Sequence, residues 1–303
     1  MKIKIRFQRE ALFYIGILLV GIVIIAIKQN YHVDEMFTYG LANSTGQSLH
    51  PEWKTAPYIY ESPESAFKEY TAVQAGERFN FANVWDKQSA DVHPPFYYVL
   101  VHIISSIFID SCSKWIAGAI NIAFLLLTFL MMRKILCLFE CDEKEKDLIS
   151  IFFIISTGMM NATSYLRMYV MAMFMVTLCA WWILRSVNEE RSVKFYVSMA
   201  VLAVCGALTH YYFLLYLFFI SLFFGLYLII NRKFLDAVKY IVAMLVAGGG
   251  SCLIFPAMLQ HIFMGGYRGE ESFEKLGGVL LPIGIRSRRF GNILTMIYLE
   301  DIY

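Results

Sequence analysis

An all-α membrane protein of about seven spans is the fold class the sequence predicts, on three observations. First, 58% of the 303 residues are hydrophobic and only 17% are charged, against roughly a quarter charged in soluble domains. Second, the apolar residues gather in runs long enough to cross a bilayer core, which takes about 20 residues of helix. Third, the basic residues fall in short clusters between those runs, the arrangement that Lys and Arg adopt in cytoplasmic loops. A net charge of +2 spread over such clusters gives no basic patch and argues against a nucleic-acid partner. Six cysteines form no CxxC pair and support neither a disulfide framework nor a zinc site.

Taken in order, Lys2, Lys4, Arg6 and Arg9 make residues 1–10 a cytoplasmic N-terminus. The run 11–27 that follows lacks a small-residue cleavage site and reads as an uncleaved first span. Six further spans are expected at 115–132, 148–164, 168–184, 195–212, 213–230 and 237–258, forming a bundle over 115–258. Residues 94–109 are apolar but short, and begin with Pro94 and Pro95. If this stretch crossed, the clusters Arg133/Lys134/Lys144/Lys146, Arg185/Arg191/Lys194 and Arg232/Lys233/Lys239 would move outside, against the positive-inside pattern. It therefore reads as an interfacial helix within an extracytoplasmic loop, 28–114. Residues 259–303 read as an extracytoplasmic segment with a short, weakly apolar tail.

That parity places the unusual polar groups on one face. Asp34 and Glu35 follow the first span, and adjacent residues point in different directions, so two separate tasks are expected of them. One could serve as a general base or metal ligand while the other orients its surroundings; the alternative is a pair of solvated loop acids. In Asp91-Val92-His93-Pro94-Pro95, the residue before a proline is biased to extended backbone, so Asp91 and His93 can face one ligand together. Read plainly, the same stretch is a helix cap. Arg167 is the only charged residue between Asp147 and Arg185, in the turn that leads to Tyr169. Charge at this depth is costly and marks either a function, such as a phosphate read by the guanidinium fork, or snorkelling to headgroups. His210 and Tyr211 stand at another outer turn, as ligand contacts or as part of an aromatic belt. His261 and Arg268 lie beyond the last span and would close the site or sit in an outer loop. Asn161-Ala162-Thr163 matches a glycosylation sequon, too near the membrane to be used.

Four stretches in order, Asp34-Glu35, Asp91-Val92-His93-Pro94-Pro95-Phe96-Tyr97-Tyr98, Arg167-Met168-Tyr169 and Thr209-His210-Tyr211-Tyr212, resemble the polytopic glycosyltransferases of the GT-C class. Within that class they are similar to the bacterial branch related to protein O-mannosyltransferases (family 39), over about residues 10–270. The resemblance implies a GT-C-like bundle in the cell membrane with its site on the extracytoplasmic face. It implies transfer of a sugar from a polyprenyl-phosphate donor to a hydroxyl of a lipid, glycan or protein acceptor. Asp34 would be the catalytic base and Glu35 the supporting carboxylate of the catalytic pair. Asp91 and His93 would be supporting or ligand-positioning groups. By charge and position, not by the resemblance, Arg167 would meet the carrier phosphate, and Tyr169, His210, Tyr211, His261 and Arg268 would line the donor or substrate site. A divalent cation is a possible cofactor, with Asp34, Asp91 and His93 as candidate ligands. The family continues through further spans where this chain, after about residue 276, shows a tail with Arg286, Arg288 and Arg289. A truncated or compact variant is therefore expected, with a non-catalytic relative or a transporter as the alternative readings.

Overall fold

The computed structural model describes residues 2–45 and 63–263, with side chains placed from residue 10 and, in the second stretch, from residue 67. Every regular element among the described residues is helical. The first helix, α1 (Lys2–Ile27), is followed by α2 (Val33–Asn43), α3 (Pro63–Thr71), α4 (Phe81–Ala90) and α5 (Phe96–Ile107). Then come α6 (Lys114–Leu138), α7 (Glu143–Ile154), α8 (Thr157–Ser164), α9 (Tyr169–Asn188), α10 (Val193–Ala207), α11 (Tyr211–Ile230) and α12 (Phe234–Ile254). A short helix, α13 (Ala257–Phe263), belongs to a second compact unit, Pro256–Tyr303, separate from the unit Met1–Phe255.

Among the described residues, five helices are long and apolar enough to cross a membrane: α1 from Glu10, α6, α9, α11 and α12. Their outward faces are apolar, as lipid contact requires: Phe218, Phe223, Leu245 and Leu253 are each more than half exposed. This is a helical membrane protein. Two of the expected spans take a different form. Residues 148–164 lie on α7 and α8, which bend by 52° at Ile155–Ser156. They count as a sixth span if the bent pair is taken as one. Ser156 accepts a hydrogen bond from the Met159 amide and so caps α8, restarting the helix in a new direction. The expected span 195–212 is α10, only 15 residues long, ending before the turn at His210.

α5 has 12 residues, so it is about 18 Å long and too short for a core of about 30 Å. Its parity is visible in how α1 and α6 pair. At one end, Lys114 donates from Nζ to the carbonyls of Ala26 (2.7 Å) and Lys28 (2.6 Å). At the other, the Arg133 guanidinium meets Glu10 at 2.5 Å. α1 and α6 are therefore antiparallel, and the chain between them leaves and returns at the same end of the bundle. Their close crossing depends on Gly118, where a β-carbon would stand 2.9 Å from Ile25.

The bundle thus has two chemically distinct ends. One holds Glu10, Arg133, Asp147, Arg185, Arg191 and Asp236. The other holds α2 to α5 and the turns at residues 165–168 and 208–210, tied together where the Phe96 amide donates to the Leu208 carbonyl at 2.9 Å.

Candidate functional site

The site begins with the cap of α2. His32 has extended backbone, and its Nδ1 accepts from the Asp34 amide at 3.2 Å. Glu35 Oε2 in turn accepts from the His32 amide at 2.7 Å, a reciprocal capping box. That bond turns Glu35 inward, where it is fully buried. Its Oε1 accepts from the Leu166 amide at 2.8 Å and faces Lys28 Nζ at 2.8 Å. Glu35 therefore joins the end of α1, the start of α2 and the turn carrying Arg167. Both of its oxygens are engaged within the fold. Asp34, one position earlier on the helix, faces outward with 41% of its side chain exposed.

The Asp91 to His93 element is a polar pair, and the cap it provides closes α4 rather than opening α5, whose N-cap is Pro95 with no side-chain hydrogen bond. Asp91 ends α4, and its Oδ2 lies 2.8 Å from His93 Nδ1. His93 Nε2 is 3.0 Å from Arg167 Nη2. A guanidinium can only donate, so Nε2 accepts; the ring proton then sits on Nδ1 and is donated to Asp91. Burial pushes the Asp91 carboxyl up, but the hydrogen bond from His93, the Val92 amide and Arg167 outweigh it and hold it below its ordinary value.

Arg167 is the centre of the arrangement and is only 4% exposed. Its Nη1 donates to Asp34 Oδ2 at 3.0 Å and lies 3.3 Å from the Asp34 carbonyl, while its Nε has no partner. Burial disfavours its charge, yet Tyr98, Tyr169, Asp34 and Tyr165 around it raise its pKa above the ordinary value. Tyr165 donates its hydroxyl to the same Asp34 oxygen at 2.9 Å. Burial first, then this bond and the Asp34 charge, push the Tyr165 phenol up to about 12. The turn itself is held from behind by Asn121, whose Nδ2 donates to the Thr163 and Tyr165 carbonyls while its Oδ1 accepts from Tyr97.

His210 closes the group from α11, capping that helix by accepting from the Tyr212 amide at its Nδ1. Gly206 makes the turn possible, because a β-carbon there would run into the Phe213 ring at 2.2 Å. The His210 ring lies 5.6 Å from Tyr169 and 6.3 Å from His93, between ring centres. Burial, then His93 and Arg167, lower its pKa to about 4, so it is neutral near pH 7. Tyr165 and Tyr169 stack at 5.7 Å.

Of the residues singled out in the sequence, Asp34, Glu35, Asp91, His93, Arg167, Tyr169 and His210 come together at one end of the bundle. Tyr211 is half-buried at the start of α11, within electrostatic reach of Asp91. His261 belongs to the separate unit on α13, and Arg268 lies outside the described residues. Sequence reasoning missed His32, Lys28, Tyr165 and Asn121. Of these only Asn121 carried a readable signal, as a polar residue within the apolar run 115–132.

The proposed cation ligands do not form a metal cage. No group of three or more His, Cys, Asp or Glu side chains suited to a metal occurs among the described residues. The Arg167 guanidinium stands between Asp34 and His93, and both ring nitrogens of His93 are engaged. What the geometry defines is a helical membrane protein with a buried guanidinium and an exposed carboxylate joined at one end of its bundle. No protein-family model, curated protein or solved structure matches the chain.

Proposed function

We propose that the chain is a membrane glycosyltransferase of the GT-C type, moving a sugar from a polyprenyl-phosphate donor to an acceptor hydroxyl. The observation that carries this reading is Arg167. It is a buried cation with an unfilled Nε and one directly bound carboxylate, and that carboxylate is itself open to solvent. A buried charge so lightly compensated is costly unless an anion completes it. A phosphate reaching Nε and Nη2 would do so through the side-on guanidinium fork, Nη2 being the nitrogen that also meets His93. It would leave Nη1 on Asp34 Oδ2 and share Nη2 with His93.

In the mechanism we infer, Asp34 takes the proton of the acceptor hydroxyl as its oxygen attacks the anomeric carbon. The bond from that carbon to the phosphate oxygen breaks, and polyprenyl phosphate leaves with the electron pair, its charge met by Arg167. One displacement inverts the anomeric centre. His93, its tautomer set by Asp91, holds Arg167 in place. The acceptor is a lipid, glycan or protein hydroxyl, and membrane lipids surround the bundle. A cation bound elsewhere in the assembled site is compatible with this scheme, but no step is assigned to one. Counting α7–α8 as one span and α10 as a short one gives seven. The basic end then faces the cytoplasm and the site lies at the outer face of the cell membrane. A transporter would place its polar groups near mid-membrane, whereas these lie at a helix-end turn.

Transfer from a polyprenyl-phosphate sugar should fall about 10²- to 10⁴-fold in Asp34→Asn, with the protein still folded. Arg167→Ala should lower it by a similar order. Undiminished transfer in both variants rejects the assignment.

A further inference from the structure

The basic end carries a cleft that bears on a second inference, independent of the transferase reading. Between the end of α9 and the start of α10 is a cleft of about 90 Å³, floored by Trp182 and Phe195 and bordered by Arg185, Lys194, Glu189 and Glu190. Space of that size takes several water-sized groups. Its depth in the membrane is marked by aromatics: Lys134 and Arg185 lie over the Trp181 ring at 4.9 and 5.3 Å. Tryptophans stacked with cations at a helix end belong to the headgroup layer of a bilayer. The loop beside the cleft is tied to α12. Arg191, within the connecting loop, is bound to Asp236 of α12 at 3.0 Å, and Tyr196 donates to the other oxygen of Asp236 at 2.9 Å.

The charges are of both signs and only half satisfied. Arg185 Nε donates to Glu189 Oε2 at 2.7 Å. Lys194 and Glu190 make no side-chain hydrogen bond or ion pair with any described residue. A purely anionic headgroup would meet two carboxylates, and a purely cationic ligand two cations. A zwitterion carrying a phosphate and a primary ammonium matches both pairs. It would place oxygens toward Lys194 and Arg185 and N–H donors toward Glu190 and Glu189. We propose that this cleft binds the headgroup of an ethanolamine phospholipid from the surrounding leaflet.

The test uses the full chain purified in mild detergent and titrated with phosphatidylethanolamine, phosphatidylcholine or phosphatidylglycerol. Retained lipid is read by native mass spectrometry. The wild type should keep the ethanolamine lipid at least fivefold better than the other two. Lys194→Ala should abolish that preference, and Glu190→Gln should shift it toward phosphatidylglycerol. Both positions are exposed, so neither change threatens folding. Equal retention of all three lipids overturns the proposal, as does a preference indifferent to both substitutions. Displacement of the lipid by an equal concentration of free phosphoethanolamine would overturn the lipid as the ligand.

Discussion

Two buried arginines at opposite ends of the same bundle have different surroundings. Arg133, 6% exposed, is met by Glu10 at 2.5 Å, Asp147 at 2.7 Å and Glu143 at 3.6 Å, and its guanidinium lies between Phe13 and Phe129. Arg167, 4% exposed, has one carboxylate at bonding distance, a neutral imidazole and an unfilled Nε. The first is a saturated clasp between α1, α6 and α7, and nothing is left for a ligand to do. The second is a charge whose compensation is incomplete, beside an open carboxylate. Burial alone does not separate these two arginines; their remaining charge balance does.

The sharpest way to break this contrast is to remove each arginine and measure thermal stability. Arg133→Ala leaves three carboxylates facing one another in a closed setting. It should cost about 3 kcal/mol, near the lower end for a broken buried pair because its partners are partly exposed. Arg167→Ala should cost well under half as much, because its one carboxylate partner, Asp34, is 41% exposed and can turn to solvent. Equal losses would mean that both arginines are structural.

A smaller effect concerns His210. Its folded pKa, about 4, lies below its ordinary value of 6.5. Between those values the unfolded chain takes up a proton that the folded one refuses, so stability falls as pH drops from about 6.5 toward 4. Asparagine keeps an acceptor for the Tyr212 amide, so His210→Asn should fold and lose part of that acid sensitivity. Thermal melts of both proteins across that pH range check it; an unchanged profile removes His210 as a contributor.

The long spans were legible because lipid contact requires unbroken apolar runs, and α6, α9, α11 and α12 fall where those runs lie. The bend at Ile155–Ser156 was not, because it leaves composition apolar and depends on one capping serine. The short α10 ends early for a related reason: His210 caps the next helix rather than extending the previous one. In the site, the adjacent Asp34 and Glu35 could be found but not told apart. Which one turns inward is decided by Lys28 and the Leu166 amide, the latter 131 residues away in sequence. Tyr165 is one of 19 tyrosines, and only its contacts in the fold, with Asp34, His32 and Tyr169, distinguish it.

The central claim, that Arg167 waits for a lipid-borne phosphate, is tested most directly by the thermal shift that polyprenyl phosphate produces in wild type and in Arg167→Ala. Polyprenol without the phosphate serves as the control. Saturation at about 100 times the dissociation constant should stabilise the wild type by about 2.7 kcal/mol. The shift should vanish in the variant and with polyprenol. An equal shift in Arg167→Ala, or one given equally by polyprenol, would contradict the account.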